Sequence, residues 1–179
     1  MARIPPINEN ELQPPVRAAF ERHVQACKAG ITNMQATLGH SPLAFEVYMQ
    51  WCPLYEAVEK ILGKRLAYLY AYSIATASDC ALTSAFFRKI IIEAGEMPEK
   101  LTVTTWQKDV LDFGRGLAKW QGNIRDHLYN SIAGRYSRQE MVVLIAFAGQ
   151  MIATNVFNNA VETDIDEYLV QYLPVIHYS

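Results

Sequence analysis

Helix punctuation recurs along nearly the whole of this 179-residue chain, and the signals of strand pairing are nearly absent. Pro14 and Pro15 suit a first helical turn, and PPVRAAFERHVQACKAG runs to Gly30, a residue suited to a helix end. Ser41-Pro42 repeats the cap-then-proline signal before LAFEVYMQW, and Pro53 predicts a kink or an end before LYEAVEKILG. Helices are expected over 65–78 and 80–95, the second closed by Gly95 with Pro98 beyond. Thr104 with Gln107, and Ser137 with Glu140, have the spacing of reciprocal capping boxes. No Asn-Gly or Asp-Gly turn joins two alternating runs, and no glycine-rich phosphate loop is present. The expectation is an all-α bundle of six to eight helices in a single domain over 1–179, preceded by a proline-rich arm at about residues 1–15.

Composition narrows the class of partner. The 51% hydrophobic and 19% charged residues are those of a folded globular chain rather than a disordered one. A net charge of −2, with no basic stripe, gives no reason to expect nucleic acid. The N-terminus, MARIPPINENELQPP, lacks the apolar core of a signal peptide. The longest apolar run, residues 141–157, is broken by Gln150, Thr154 and Asn155 and reads as a buried helix rather than a membrane span. Three cysteines without framework spacing fit a reduced, cytoplasmic protein.

Chemistry concentrates around SDCALTSAFFRK, residues 78–89. Asp79 is expected to cap a helix whose first turn holds Cys80. Unpaired backbone N–H groups and the helix dipole would there favour a thiolate. Read from residues alone, a small buried cysteine beside a capping aspartate is the preferred account of the segment.

The stretch KRLAYLYAYSIATASDCALTSAFFRKIIIEAGEMPEKL resembles the core of the alkylhydroperoxidase D-like, or carboxymuconolactone decarboxylase, superfamily. The SPLAF motif at 41–45 and the segment YSRQEMVVLIAFAGQMIATNVFNNAVETDIDEYL extend the likeness over most of the chain. The resemblance implies an all-α fold of that type, a homo-oligomer, no cofactor, and a thiol-dependent peroxidase-type oxidoreductase of antioxidant defence. It also implies a Cys-x-x-Cys site with a histidine and a relay glutamate. Here only the first cysteine stands, as Cys80; Thr83 occupies the second position, Phe87 the histidine and Tyr68 the glutamate. An intramolecular disulfide cannot form there, and neither thiol deprotonation nor leaving-group protonation has an obvious agent. Cys27 or Cys52 could resolve Cys80 only if the fold brought one within reach. The decarboxylase branch would need an acid that this motif does not supply.

Tyr68, Tyr72, Thr83 and Phe87 would then line a neutral, mostly apolar pocket able to hold a small apolar or hydroperoxide ligand. A helical core stripe accounts for the same spacing. Asn155, Asn158 and Asn159 share a face of an apolar helix and need partners wherever they are buried, and Asn155 is expected on the pocket wall. Among the histidines, His127 is the candidate to face the cavity. His23 is expected to be exposed, His40 local to the Ser41 cap, and His177 lies in the C-terminal tail. No metal-ligand spacing is present, so no metal site is expected. GRGLAKW, residues 114–120, belongs to a helix rather than a phosphate loop, and Asp164 is expected to cap a last short helix.

Overall fold

The structure is a computed structural model and describes residues 1–174, so His177 lies outside the described residues. Among those residues there are nine α-helices and no strands. They are α1 (Pro14–Cys27), α2 (Asn33–Leu38), α3 (Pro42–Met49), α4 (Trp51–Leu62), α5 (Lys64–Ala77), α6 (Ala81–Glu93), α7 (Thr105–Lys119), α8 (Asp126–Ala133) and α9 (Arg138–Val161). Short 3-10 turns at Glu9–Glu11, Pro98–Lys100 and Glu167–Tyr172 complete the chain.

The punctuation acts as the sequence predicts at several boundaries. Thr104 and Ser137 each accept the N–H of the residue three positions on, while Gln107 and Glu140 reach back to the cap backbone. Each such box satisfies two donors that a helix start leaves orphaned. Ser41 caps α3. The break attributed to Pro53 falls earlier, at Gln50, and Pro53 occupies the first turn of α4, where its missing N–H has no bond to lose.

Two apolar clusters form the interior. The larger unites α4, α5, α6, α7 and α9 around Leu69, Tyr70, Ile74, Phe113 and Phe147. Tyr70 is fully buried, and its hydroxyl donates to the Leu144 carbonyl at 3.1 Å, which supplies the partner that a buried phenol requires. α5 crosses α7 closely because Gly114 has no side chain: a Cβ there would meet the Tyr70 ring at 2.7 Å. GRGLAKW is therefore helix, and its first glycine serves packing.

The smaller cluster joins α1, α2 and α3 to Cys80 and Leu82 through Val16, Phe20, Leu38 and Phe45. Trp51 packs against both clusters and marks the seam between them. The N-terminal arm is tied down: Arg3 donates its backbone N–H to Val161 and pairs with Glu162, and the Ile7 N–H bonds to the Ala36 carbonyl.

α9 requires a correction. It is long and apolar enough to cross a membrane by length and composition, yet Leu144, Phe147, Ala148 and Met151 pack into the larger cluster. Its other face is exposed and also apolar, with Val142 at 65% and Val156 at 61%. The run read as a buried helix is thus buried on one side only.

Candidate functional site

The junction between α5 and α6 departs from the sequence reading. Asp79 does not cap α6; it ends α5. Its φ is +50°, and it donates its N–H to the Thr76 carbonyl while the Cys80 N–H bonds to Ala75. This is the Schellman closure, with a left-handed aspartate where glycine is usual. Cys80 itself is the N-cap of α6, 1% exposed and packed into the smaller cluster.

A buried polar chain starts from it. The Cys80 sulfur lies 3.3 Å from the Thr83 hydroxyl, which accepts from Asn158 Nδ2 at 3.4 Å. Asn158 Oδ1 accepts from Thr163, and Asn159 donates to the Ser78 carbonyl. Asn155, fully buried, has neither amide atom bonded to another described group.

Thr83 and Phe87 line a cavity of about 90 Å³ at the seam of the two clusters, with Met34, Leu82, Phe86, Met151 and Leu169 as further apolar wall. Thr32, Gln35, Trp51, Phe86, Asp166 and Tyr168 line both this cavity and a wider cleft of about 1170 Å³, so the two spaces adjoin. The Asp166 carboxylate accepts the Asn33 N–H at 2.8 Å, and burial raises its pKa above the ordinary aspartate value. Asp166, rather than Asp164, precedes the last 3-10 turn; Asp164 instead pairs with the chain's amino terminus.

Other expected pocket residues stand elsewhere. The Tyr68 hydroxyl donates to Glu96, which also receives a two-pronged contact from Arg65. Burial, then the bond to Glu96, push the Tyr68 pKa to about 12. Arg65, followed by Tyr68, holds the Glu96 carboxyl below its usual range. Tyr72 accepts from Arg88, whose guanidinium also meets Glu99 and the Tyr172 carbonyl. Neither tyrosine is among the residues lining the cavity. His127 is exposed on α8 and lines a separate groove with Asp109, Asp112 and Arg115. It cannot refill a relay beside Cys80. Asn155 is likewise absent from the cavity wall; its neighbour one turn on, Asn158, lines it instead.

Sequence reasoning missed the cluster at the mouth of the cleft. His23 is buried, at 8% exposure, rather than exposed. Its Nδ1 lies 3.6 Å from the Cys27 sulfur, and that sulfur lies 3.3 Å from the Cys52 sulfur. The three ligand atoms fall within 4.8 Å of one another, close enough by distance to hold a metal ion. His23 and Cys27 are four apart on α1 and so share a face. That spacing was the only available signal, since Cys52 arrives from α4. All three cysteines are free thiols, and Cys27 and Cys52 face each other.

The chain has an all-helical fold shared with solved structures of known enzymes. Those structures are of the debrominase Bmp8. A cysteine-to-alanine variant in complex with 2,3,4-tribromopyrrole matches with a TM-score of 0.76 at 14% identity, covering 94% of each chain. The apo form matches at 0.64 and 13% identity, covering 94% of this chain and 95% of the other. No protein-family model matches the sequence, and no curated protein matches it.

Proposed function

We propose that this protein is a divergent alkylhydroperoxidase D-like member that binds a compact apolar molecule in the cavity beside Thr83 and Phe87. One observation carries the reading: where the resemblance expects a reactive thiol and a histidine, the wall presents a hydroxyl and a phenyl ring in a mostly apolar cavity, with Gln35, Asn158 and Asp166 among its further polar groups. Such a wall favours burial of apolar surface and offers few groups for proton transfer.

The cavity is smaller than the ~150 Å³ in which a benzene ring has been accommodated. A ring would therefore seat one edge at Thr83 and leave the remainder against Trp51 and Phe86 in the adjoining cleft. The fold shared with a debrominase that takes a tribrominated pyrrole supports a small, flat, halogenated or similarly apolar ligand. Peroxidase-type chemistry at Cys80, which the family resemblance implies, is the weaker reading, because the sulfur is buried and engaged with Thr83. A homo-oligomer, which the resemblance also implies, has a candidate surface in the exposed apolar face of α9.

Thermal unfolding with and without 2,3,4-tribromopyrrole tests the reading. The midpoint should rise with ligand concentration as binding to the folded state alone requires, and Thr83→Phe, which fills the cavity, should abolish the rise. A midpoint that the compound leaves unchanged at its solubility limit overturns this choice of ligand class.

A further inference from the structure

The Cys27–Cys52–His23 cluster has no part in the Cys80 site, and its hydrogen bonds fix its chemistry further than its distances do. We propose that Cys27 and Cys52 are a redox-active dithiol that exchanges with small-molecule or peptide disulfides, with Cys27 the attacking sulfur, Cys52 the resolving one, and His23 and Gln35 positioning Cys27.

The argument begins at Gln35. Its Oε1 accepts the Thr32 N–H at 2.9 Å in the capping box of α2, which assigns the oxygen end of the amide. The nitrogen end therefore faces His23 Nε2, at 2.9 Å, and lies 3.6 Å from the Met49 sulfur. An amide nitrogen only donates, so Nε2 must accept. The single proton of a neutral imidazole then sits on Nδ1, the nitrogen 3.6 Å from the Cys27 sulfur. Burial disfavours the charged ring and keeps His23 in this neutral form. His23 thus aims an N–H at Cys27, a contact that strengthens as the sulfur gains negative charge.

The same tautomer argues against a metal. A cation on Nδ1 would require the ring proton on Nε2, where it would face the Gln35 amide hydrogens. Turning Gln35 over would relieve that clash only by breaking the capping box.

Cys52 is suited to the second role. Burial, then the hydrogen bond to Cys27, push its pKa up to about 12, so it stays a thiol until the first attack is complete. The sulfurs are 3.3 Å apart, and closing to the ~2.05 Å of a disulfide needs only a small movement. Both are half-buried on the wall of the wide cleft, where a disulfide can approach.

In the exchange, Cys27 thiolate attacks one sulfur of the incoming disulfide. That S–S bond breaks and the leaving thiolate takes up a proton. Cys52 then gives up its proton to solvent, attacks the Cys27 sulfur and expels the second thiolate, which takes up a proton in turn. One external disulfide becomes two thiols, and the two protein thiols become one disulfide. A thiolate needs little acid assistance to leave, which suits a site where the nearest N–H is committed to Cys27.

The test uses the full chain with oxidised glutathione. Non-reducing peptide mapping should join the peptides that hold Cys27 and Cys52 and leave Cys80 alkylatable. Cys52→Ser should accumulate the glutathione adduct on Cys27, and Cys27→Ser should form neither product. Gln35→Leu should slow alkylation of Cys27 by about tenfold at neutral pH, with Gln35→Asn tested for partial rescue. Alkylation of Cys27 at the wild-type rate in Gln35→Leu overturns the positioning role. Retention of stoichiometric zinc by the purified protein, or equal adduct formation on Cys27 and Cys52 in the two serine variants, overturns the dithiol assignment. Wild-type mapping decides the disulfide even if a variant fails to fold.

Discussion

The Cys80 sulfur and the Thr83 hydroxyl lie 3.3 Å apart, across the single helical turn that would separate the two sulfurs of a Cys-x-x-Cys site. Threonine keeps the size and the hydrogen bond of that position while removing its ability to form a covalent bond. Thr83→Cys should therefore restore a closable pair. After mild oxidation, thiol titration should show Cys80 lost together with the introduced sulfur, and wild-type Cys80 should stay free. If Cys80 remains titratable in Thr83→Cys, the local backbone is not that of a dithiol helix start, and the family comparison fails at its centre.

Asn155 is buried with both amide atoms unpaired among the described residues. An unsatisfied buried amide costs about 1–3 kcal/mol. Asn155→Leu, close in volume, should stabilise the fold by an amount of that order. The unfolding midpoint would then rise by about 2–4 °C per kcal/mol. A fall would mean that the amide serves a contact worth more than its desolvation.

Glu96 joins Arg65 and Tyr68 of α5 to the turn that follows α6. Its folded pKa is depressed, so its stabilisation is complete above the unfolded carboxylate value of about 4.3 and is lost as pH falls through the lower folded value. Because Arg65 is partly exposed, Glu96→Gln should cost only about 1 kcal/mol at pH 7. Denaturant titrations should show wild type and variant converging below about pH 4. A gap that persists there would mean that the loss is one of packing rather than charge.

The fold was legible because its determinants are local. Thr104, Ser137 and Ser41 act within four residues of themselves, and the apolar periodicity between such caps is a property of each helix alone. The site was legible only where one helix start carries it, at Cys80 and Thr83. Tyr68 was misplaced because its hydroxyl follows Glu96, 28 positions away, and no spacing rule links them. His23 was misplaced because its burial comes from α2 and α3, through Gln35 and Phe45, and not from its own polar helix. The Cys27–Cys52 contact joins residues 25 apart across two helices. Asp79 misled for a physical reason: aspartate favours helix starts, yet it also tolerates the left-handed backbone that closes one.

The last prediction concerns the bare face of α9. No charged residue lies between Met141 and Val161, although only one face of the helix packs into the core. On the open side Val142, Ile145, Gly149, Ile152 and Val156 follow spacings of three and four, the pattern of a helix seam, with Ile152 half-buried and the others exposed. Gly149 has nothing within 4 Å of where a Cβ would stand, so a partner helix could approach closely there. A second copy of the chain offers the same uncharged surface, which makes self-association through α9 the expected use of this face. Val156→Glu should bury an unpaired charge at such an interface, and sedimentation over a range of concentrations should show association weakened by at least about tenfold, or 1.4 kcal/mol. Lys89, which pairs with Glu93 on α6, is not part of this α9 seam, so Lys89→Glu should leave the assembly intact. A wild-type chain that sediments as a monomer at every concentration would exclude the face as an interface, whatever the variants do.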